Sequence, residues 1–244
     1  MTMINLCRTE ARHHDRRHRR DVWRTFGPLD RADPFADGFG ALDAIDEHRL
    51  PPTSALSQKP RDDTDVVTYV REGAVTYDDS LGRSGVIHAG EFQRVTVGRG
   101  LRHSAANASR AHWAHVFYIR LRPLVLGLES SCEQKRFSAA ERRGALCVIA
   151  SPDARRGSLR VHQDAVTYSA LLERGQHVVH ELGPERAAWL HIVHGEVTLG
   201  EFVLTTGDGA AITGERAVSL TARAETEILL FDVVAGRARE APAS

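Results

Sequence analysis

Short runs of β-branched and apolar residues, cut by glycine- and aspartate-rich turns, recur along most of the chain. Residues 66–70 form one such run, followed by the turn Arg71-Glu72-Gly73 and a second run at 74–77. Asp78-Asp79-Ser80-Leu81-Gly82 then supplies the side-chain and glycine chemistry that reverses a strand. Runs at 94–97 and 113–121 follow, with Gly98-Arg99-Gly100 breaking the chain between them. After a polar stretch the pattern starts again at 146–150, 165–172, 177–181, 188–194, 196–199, 218–222 and 226–233. Repeated short strands with frequent turns predict an all-β protein of two tandem β-barrels. The expected organisation is a first barrel with a ligand pocket over 1–125, a connection over 126–144, a second barrel over 145–236 and a tail over 237–244. Ser138-Ala139-Ala140-Glu141 carries the signature of a short helix start inside the connection.

Composition narrows the function classes. The 244 residues are 42% hydrophobic and 26% charged, with no apolar run near the length of a membrane span and no signal-peptide pattern at the start. Three widely spaced cysteines, Cys7, Cys132 and Cys147, give no metal-binding pair and no disulfide framework, which fits a cytoplasmic protein. Lys plus Arg and Asp plus Glu both total 32, so no global field steers the chain towards nucleic acid. The basic run at 12–20 reads as a solvated segment rather than a phosphate-binding arm, because no recognition motif accompanies it. Nothing in the pattern addresses oligomeric state.

The stretch DVVTYVREGAVTYDDSLGRSGVIHAGEFQRVTVGRGLRHSAAN, followed by HVFYIRLRP, resembles the first cupin half of the pirin family. Ser151-Pro152-Asp153-Ala154-Arg155-Arg156-Gly157-Ser158-Leu159, Val161-His162-Gln163-Asp164 and Ile228-Leu229-Leu230-Phe231-Asp232 resemble its second half. The resemblance extends from about Trp23-Arg24-Thr25-Phe26 to the last strand, and it implies a bicupin of the cupin superfamily. Metal-binding members carry His-x-His before the TYV strand and His-x-Glu after the GxG turn. Here Lys59-Pro60-Arg61 and His103-Ser104-Ala105 occupy those positions, so one of the four ligands is present.

A catalytic metal needs about three protein ligands and an open position. A single imidazole beside two cations does not supply them, so neither a metal nor any other cofactor is expected. His103 is then the candidate general acid or base, since a free imidazole titrates near neutrality. Lys59 and Arg61 are candidates to clamp an anionic ligand, with surface charge as the alternative. Ala105 widens the pocket where the family has glutamate. Strand alternation puts Tyr118 on the face opposite His115 and Phe117, and the resemblance implies that this face lines the cavity. Phe39 is a candidate for the pocket mouth, with core packing as the alternative. His177, His180, His191 and His194 have no one-face chelating spacing and read as structural or surface residues.

These residues lead to the expectation of a metal-free bicupin that binds a small, anionic organic ligand in its first barrel. Proton transfer, isomerisation or cyclisation in specialised metabolism is the expected chemistry. The alternatives are a non-catalytic sensing or regulatory protein and a metal-dependent quercetin 2,3-dioxygenase-like enzyme, the activity usually inferred for the family.

Overall fold

Four antiparallel-dominated sheets, paired into two barrels, account for nearly all the regular structure in a computed structural model that describes residues 3–17, 19–26, 34–58, 63–98, 101–122 and 124–235. The first barrel closes a seven-stranded sheet, in the order Ser131–Arg136, Glu91–Thr96, Asp65–Glu72, Ala114–Leu121, Leu42–Leu50, Arg20–Arg24 and His13–Arg17. Facing it is a four-stranded sheet of Ala55–Gln58, His103–Asn107, Ala74–Asp79 and Ser84–His88. The second barrel repeats the plan. Its seven-stranded sheet runs Met3–Cys7, Gly209–Thr213, Arg186–His194, Thr226–Val234, Ala165–Leu172, Cys147–Ser151 and Leu159–Arg160. His177–Glu181, Ala217–Ala222, Glu196–Leu199 and Phe202–Thr205 oppose it.

The large sheets differ from the small ones in a way the residues explain. Each large sheet turns one face into its own barrel and the other towards its counterpart in the neighbouring barrel. Its central strands are therefore buried on both sides and almost continuously apolar, as in Thr226–Val234 and Ala114–Leu121. The small sheets face water on one side and alternate, as His177–Glu181 and Ala217–Ala222 do. Between the large sheets lies one shared core of Tyr69, Phe92 and Phe117 from the first barrel and Trp189, Leu229 and Phe231 from the second. Tyr69 stacks on Phe92 with ring centres 4.2 Å apart, and Phe26 and Phe35 pack edge-on against Trp189 at 4.7 and 5.1 Å. Gly209 is required beside that indole, since a Cβ there would come within 2.4 Å of the ring.

Two segments cross the expected boundaries. Met3–Cys7 comes from the part of the chain assigned to the first barrel, yet it pairs along its whole length with Gly209–Thr213 of the second. Ser131–Arg136 lies in the expected connection but pairs with Glu91–Thr96 as an edge strand of the first barrel. The basic run is not a free arm either. His13–Arg17 and Arg20–Arg24 form a hairpin on the first barrel's large sheet, and Arg12 is buried. No helix among the described residues is long and apolar enough to cross a membrane.

Buried charges lock the two barrels together. In the connection, Ser138 and Glu141 form a capping box that starts the four-residue helix Ala139–Arg142. Arg142 thereby enters the interface, where its Nη1 donates to Tyr69 Oη and Glu227 Oε1, each at 3.1 Å. Tyr69 donates to the same carboxylate, and Arg71 Nε donates to Glu227 Oε2 at 3.1 Å. On the far side, Arg12 Nη1 donates to Glu47 Oε2 at 2.8 Å and to the Gly207 carbonyl of the second barrel at 3.4 Å. Removing one partner of a buried pair leaves the other charge stranded. Arg142→Ala should therefore lower the unfolding free energy by about 3–5 kcal/mol. Leu81→Ala, at a turn residue that is 61% exposed, should cost less than about 0.5 kcal/mol. Urea denaturation of both variants measures the difference.

Candidate functional site

The two barrel interiors are filled differently. In the second, Val166, Leu172, Val178, Leu190, Leu199, Leu204, Leu220 and Leu230 belong to one packed apolar cluster. The first also has apolar walls, including Val66, Val70, Val95 and Val116, but several polar side chains interrupt them. His103 opens the strand His103–Asn107, paired to Asp79 on one side and Gln58 on the other. Its ring lies nearly parallel to that of Tyr77, with centres 6.0 Å apart. His103 Nδ1 is buried without a hydrogen-bond partner. Burial lowers the His103 pKa, and the nearby Asp79 and Asp78 carboxylates oppose that shift. The ring therefore faces the interior with a nitrogen to spare.

Tyr77 links this wall to the large sheet. Its side chain lies near Cys132 and Gln93 of that sheet, and burial, followed by Cys132, raises its pKa. Ala105 is buried directly across from Tyr77. Its methyl group brings no donor atom.

Tyr118 points into the same barrel, on the face opposite Phe117, and packs in the first-barrel core. Its hydroxyl is fully buried and unpartnered, and burial pushes its pKa well above the usual phenol range. Edge-on to it, at 5.1 Å, is His48. Both ring nitrogens of His48 are buried without partners, and its pKa is held at about 3 by burial and then by Arg24 and Arg20. Gln93, which is wholly buried, leaves its Oε1 unpaired. Such orphaned atoms are rare in folded proteins, and here several face one interior.

Of the sequence candidates, His103, Ala105 and Tyr118 thus share the first barrel. Lys59 and Arg61 lie outside the described residues. Phe39 takes the packing alternative: its ring sits 5.7 Å from Trp189 on the inter-barrel core, where an apolar side chain gains most from burial. His48, Tyr77, Gln93 and Cys132 were not candidates from sequence. His48 could have been found from its place two residues before Leu50 on an inward face, although its neighbours Asp46, Glu47 and Arg49 make the segment look solvated.

Histidines elsewhere serve the frame. His115 Nε2 contacts Glu47 Oε1 at 2.8 Å between the barrels, and His180 Nε2 contacts Asp232 Oδ2 at 2.8 Å. Burial raises the Glu47 carboxyl, but the His115 hydrogen bond and the Arg12 charge outweigh that and hold it at about 2. A separate surface cleft of about 420 Å³, lined by Arg71, Arg143, Arg174, His194 and Glu227, opens beside the interface.

Two barrels joined through their larger sheets, one interior packed and one polar, define a bicupin. Residues 7–120 match the family model described as Pirin, and residues 148–233 match the one described as Quercetinase C-terminal cupin domain. The chain belongs to the pirin family. It is 37% identical over 231 residues to a protein of Escherichia coli strain K12 named quercetin 2,3-dioxygenase, covering 95% of this chain and 99% of that one. A protein of Caulobacter vibrioides named pirin-like protein is 31% identical, over 82% of this chain and 86% of its own length. The crystal structure of bacterial pirin YhhW from Escherichia coli in complex with nickel(II) superposes with a TM-score of 0.87 at 35% identity, covering 96% of this chain and 100% of YhhW.

These relatives correct the functional expectation. Metal-independent proton transfer, isomerisation or cyclisation on an anionic ligand has no counterpart among them, whereas quercetin dioxygenation and nickel binding do. Setting aside metal-dependent dioxygenase chemistry on the strength of three lost ligands is corrected with it, and the comparisons likewise give no support to specialised metabolism. The ligand set itself remains different in this chain. Among the described residues no group of three or more His, Cys, Asp or Glu side chains is placed to hold a metal, and Ala105 offers none of the chemistry of a carboxylate. The described donors therefore do not fit the four-ligand centre that the resemblance implies.

The buried imidazoles make the fold acid-sensitive. His48 and His191 both have pKa values lowered to about 3, so between that value and 6.5 the unfolded chain binds protons that the folded chain does not. Their contribution is complete above pH 6.5 and is lost as the pH falls towards 3. On going from about pH 7 to about pH 5 each should cost on the order of 2 kcal/mol. His48→Gln and His191→Gln should each flatten that slope, as measured by urea unfolding at the two pH values.

Proposed function

We propose that the first barrel oxidises a flavonol of the quercetin type, with dioxygen as co-substrate. The observation that carries this reading is the match along 95% of the chain to a protein named quercetin 2,3-dioxygenase. The polar interior of the first barrel supports it as the place where the substrate sits, since the second barrel is filled by its own side chains.

In this reading the flat ring system enters between the His103–Asn107 strand and the large sheet. Tyr77 and His103, whose rings are nearly parallel, offer a wall against which a planar molecule stacks. His103 has an uncharged form favoured by burial, so its free Nδ1 can accept a proton from a substrate hydroxyl and hold the resulting phenolate in place. Ala105 leaves room for the ring where a longer side chain would project. The apolar walls exclude bulk water from the electron-rich enolate. The roles of Lys59 and Arg61 as anion clamps are part of the same reading, because a deprotonated flavonol carries the charge they would meet. The described donors do not assemble a metal site, so these roles belong to the side chains themselves.

Purified protein should consume quercetin and dioxygen in equal amounts, followed by an oxygen electrode and the loss of quercetin absorbance. Parallel arms contain no added metal, nickel(II), iron(II) or copper(II). His103→Ala should slow turnover by about a hundredfold or more. Absence of quercetin loss in every arm would overturn the proposal, and binding without consumption would reduce the barrel to a receptor.

A further inference from the structure

The inner face of the large sheet carries a row of polar groups that the family's ligand positions do not include. Register places Gln93, Thr68 and Tyr118 side by side on three adjacent strands. With strands about 4.8 Å apart, Gln93 and Tyr118 stand roughly 10 Å from one another. His48 continues the row on the next strand, opposite Val116, and meets Tyr118 edge-on. These three side chains are 0%, 1% and 7% exposed for Gln93, Tyr118 and His48, and each ends in at least one unpaired atom. His103 and Tyr77 stand on the opposing sheet, so both sheets present polar groups to the same barrel interior.

We infer that His48, Tyr118 and Gln93 recognise the hydroxyl groups of a neutral, polyhydroxylated aromatic end of the substrate. This rests on the flavonol reading above for the identity of the ring system. The donor and acceptor pattern selects that chemistry. Gln93 Oε1 only accepts, the Tyr118 hydroxyl donates and accepts, and an uncharged His48 ring does one on each nitrogen. A phenolic hydroxyl both donates and accepts, so it can satisfy any member of the row. A carboxylate or phosphate only accepts and would leave Gln93 Oε1 unpaired and desolvated. Asp46 stands opposite Tyr118 in the row and accepts from Arg120 Nη1 at 3.0 Å, while Arg24 and Arg20 lie near His48 and Arg20 Nη1 donates to the Ala55 carbonyl at 2.9 Å. The row therefore discriminates for hydroxyls and against anionic substituents at this end, while the phenolate at His103 lies on the other wall.

The test compares quercetin with 3-hydroxyflavone, which keeps the flavonol core and lacks the other hydroxyls. Binding is measured without oxygen by quenching of tryptophan fluorescence. Wild-type protein should prefer quercetin by about ten- to a hundredfold, because the bare core leaves buried polar atoms unpaired. Tyr118→Phe and His48→Leu should each cut the preference several-fold, and with Gln93→Leu added bring it to about one, as 3-hydroxyflavone affinity rises with fewer buried polar atoms left unpaired. Gln93→Leu alone, on a different strand, should also cut the preference and guards against misfolding of the combined variant. Equal affinity of wild type for the two flavonols, or a preference that survives all three substitutions, would overturn the inference. Its failure is separable from that of the oxidation reading. Hydroxyl preference without turnover leaves the inference standing, and turnover with no preference leaves only the oxidation reading.

Discussion

The back-to-back contact of the two seven-stranded sheets determines what each barrel can do. Tyr69, Phe92 and Phe117 meet Trp189, Leu229 and Phe231 in a core that neither barrel could complete alone. Each large aromatic buried there contributes about 1.5–3 kcal/mol relative to exposure. Because both faces of these sheets are dry, charged side chains survive only where a partner is provided. Arg142 meets Glu227 and Tyr69, Arg12 meets Glu47, and His162 donates its backbone amide to Asp65 at 2.7 Å. These pairs tie together the two large sheets, one of which forms a wall of the first barrel's interior.

The two interiors resolve the cost of buried polar atoms in opposite ways. The second barrel avoids the problem by filling with aliphatic side chains and keeps its polar groups near Asp232, where His180 and Arg186 pair with the carboxylate. The first barrel keeps His48, Gln93, His103 and Tyr118 inside with atoms unpaired. A side chain that loses hydrogen bonds to water on folding is disfavoured unless another group restores them. A substrate rich in hydroxyls restores several at once, which makes ligand binding and the energetics of the empty fold two sides of one arrangement. The acid sensitivity of His48 belongs to the same account, since a wall that meets neutral hydroxyls resists protonation.

Much of this fold was legible from spacing. The doubled pattern of short strands, the turn clusters and the short helix start all correspond to observed elements, and alternation separated Tyr118 from Phe117 while the family resemblance pointed its face inward. What the spacing missed or misread has a common cause. Asp46, Glu47 and His48 look like a solvated segment, yet they are 6%, 6% and 7% exposed, because their strand is covered on both faces by partners remote in sequence. Arg12 looked like part of a flexible basic run for the same reason, and its carboxylate partner lies 35 residues away. Met3–Cys7 could not be assigned to the second barrel from its own residues, since its strand partner follows some two hundred positions later. Function was less legible still. The loss of ligand types was visible at Ala105, but what a relative acts on is a property of the whole cavity and not of four positions.

A crystal structure of the protein with quercetin, grown without oxygen, tests the central claim most directly. The account predicts the flavonol inside the first barrel, with one oxygen within hydrogen-bond distance of His103 Nδ1 and further hydroxyls meeting Tyr118, His48 or Gln93. Quercetin in the surface cleft beside Arg71 and Arg143, or a first barrel that holds only ordered water at saturating ligand, would contradict it.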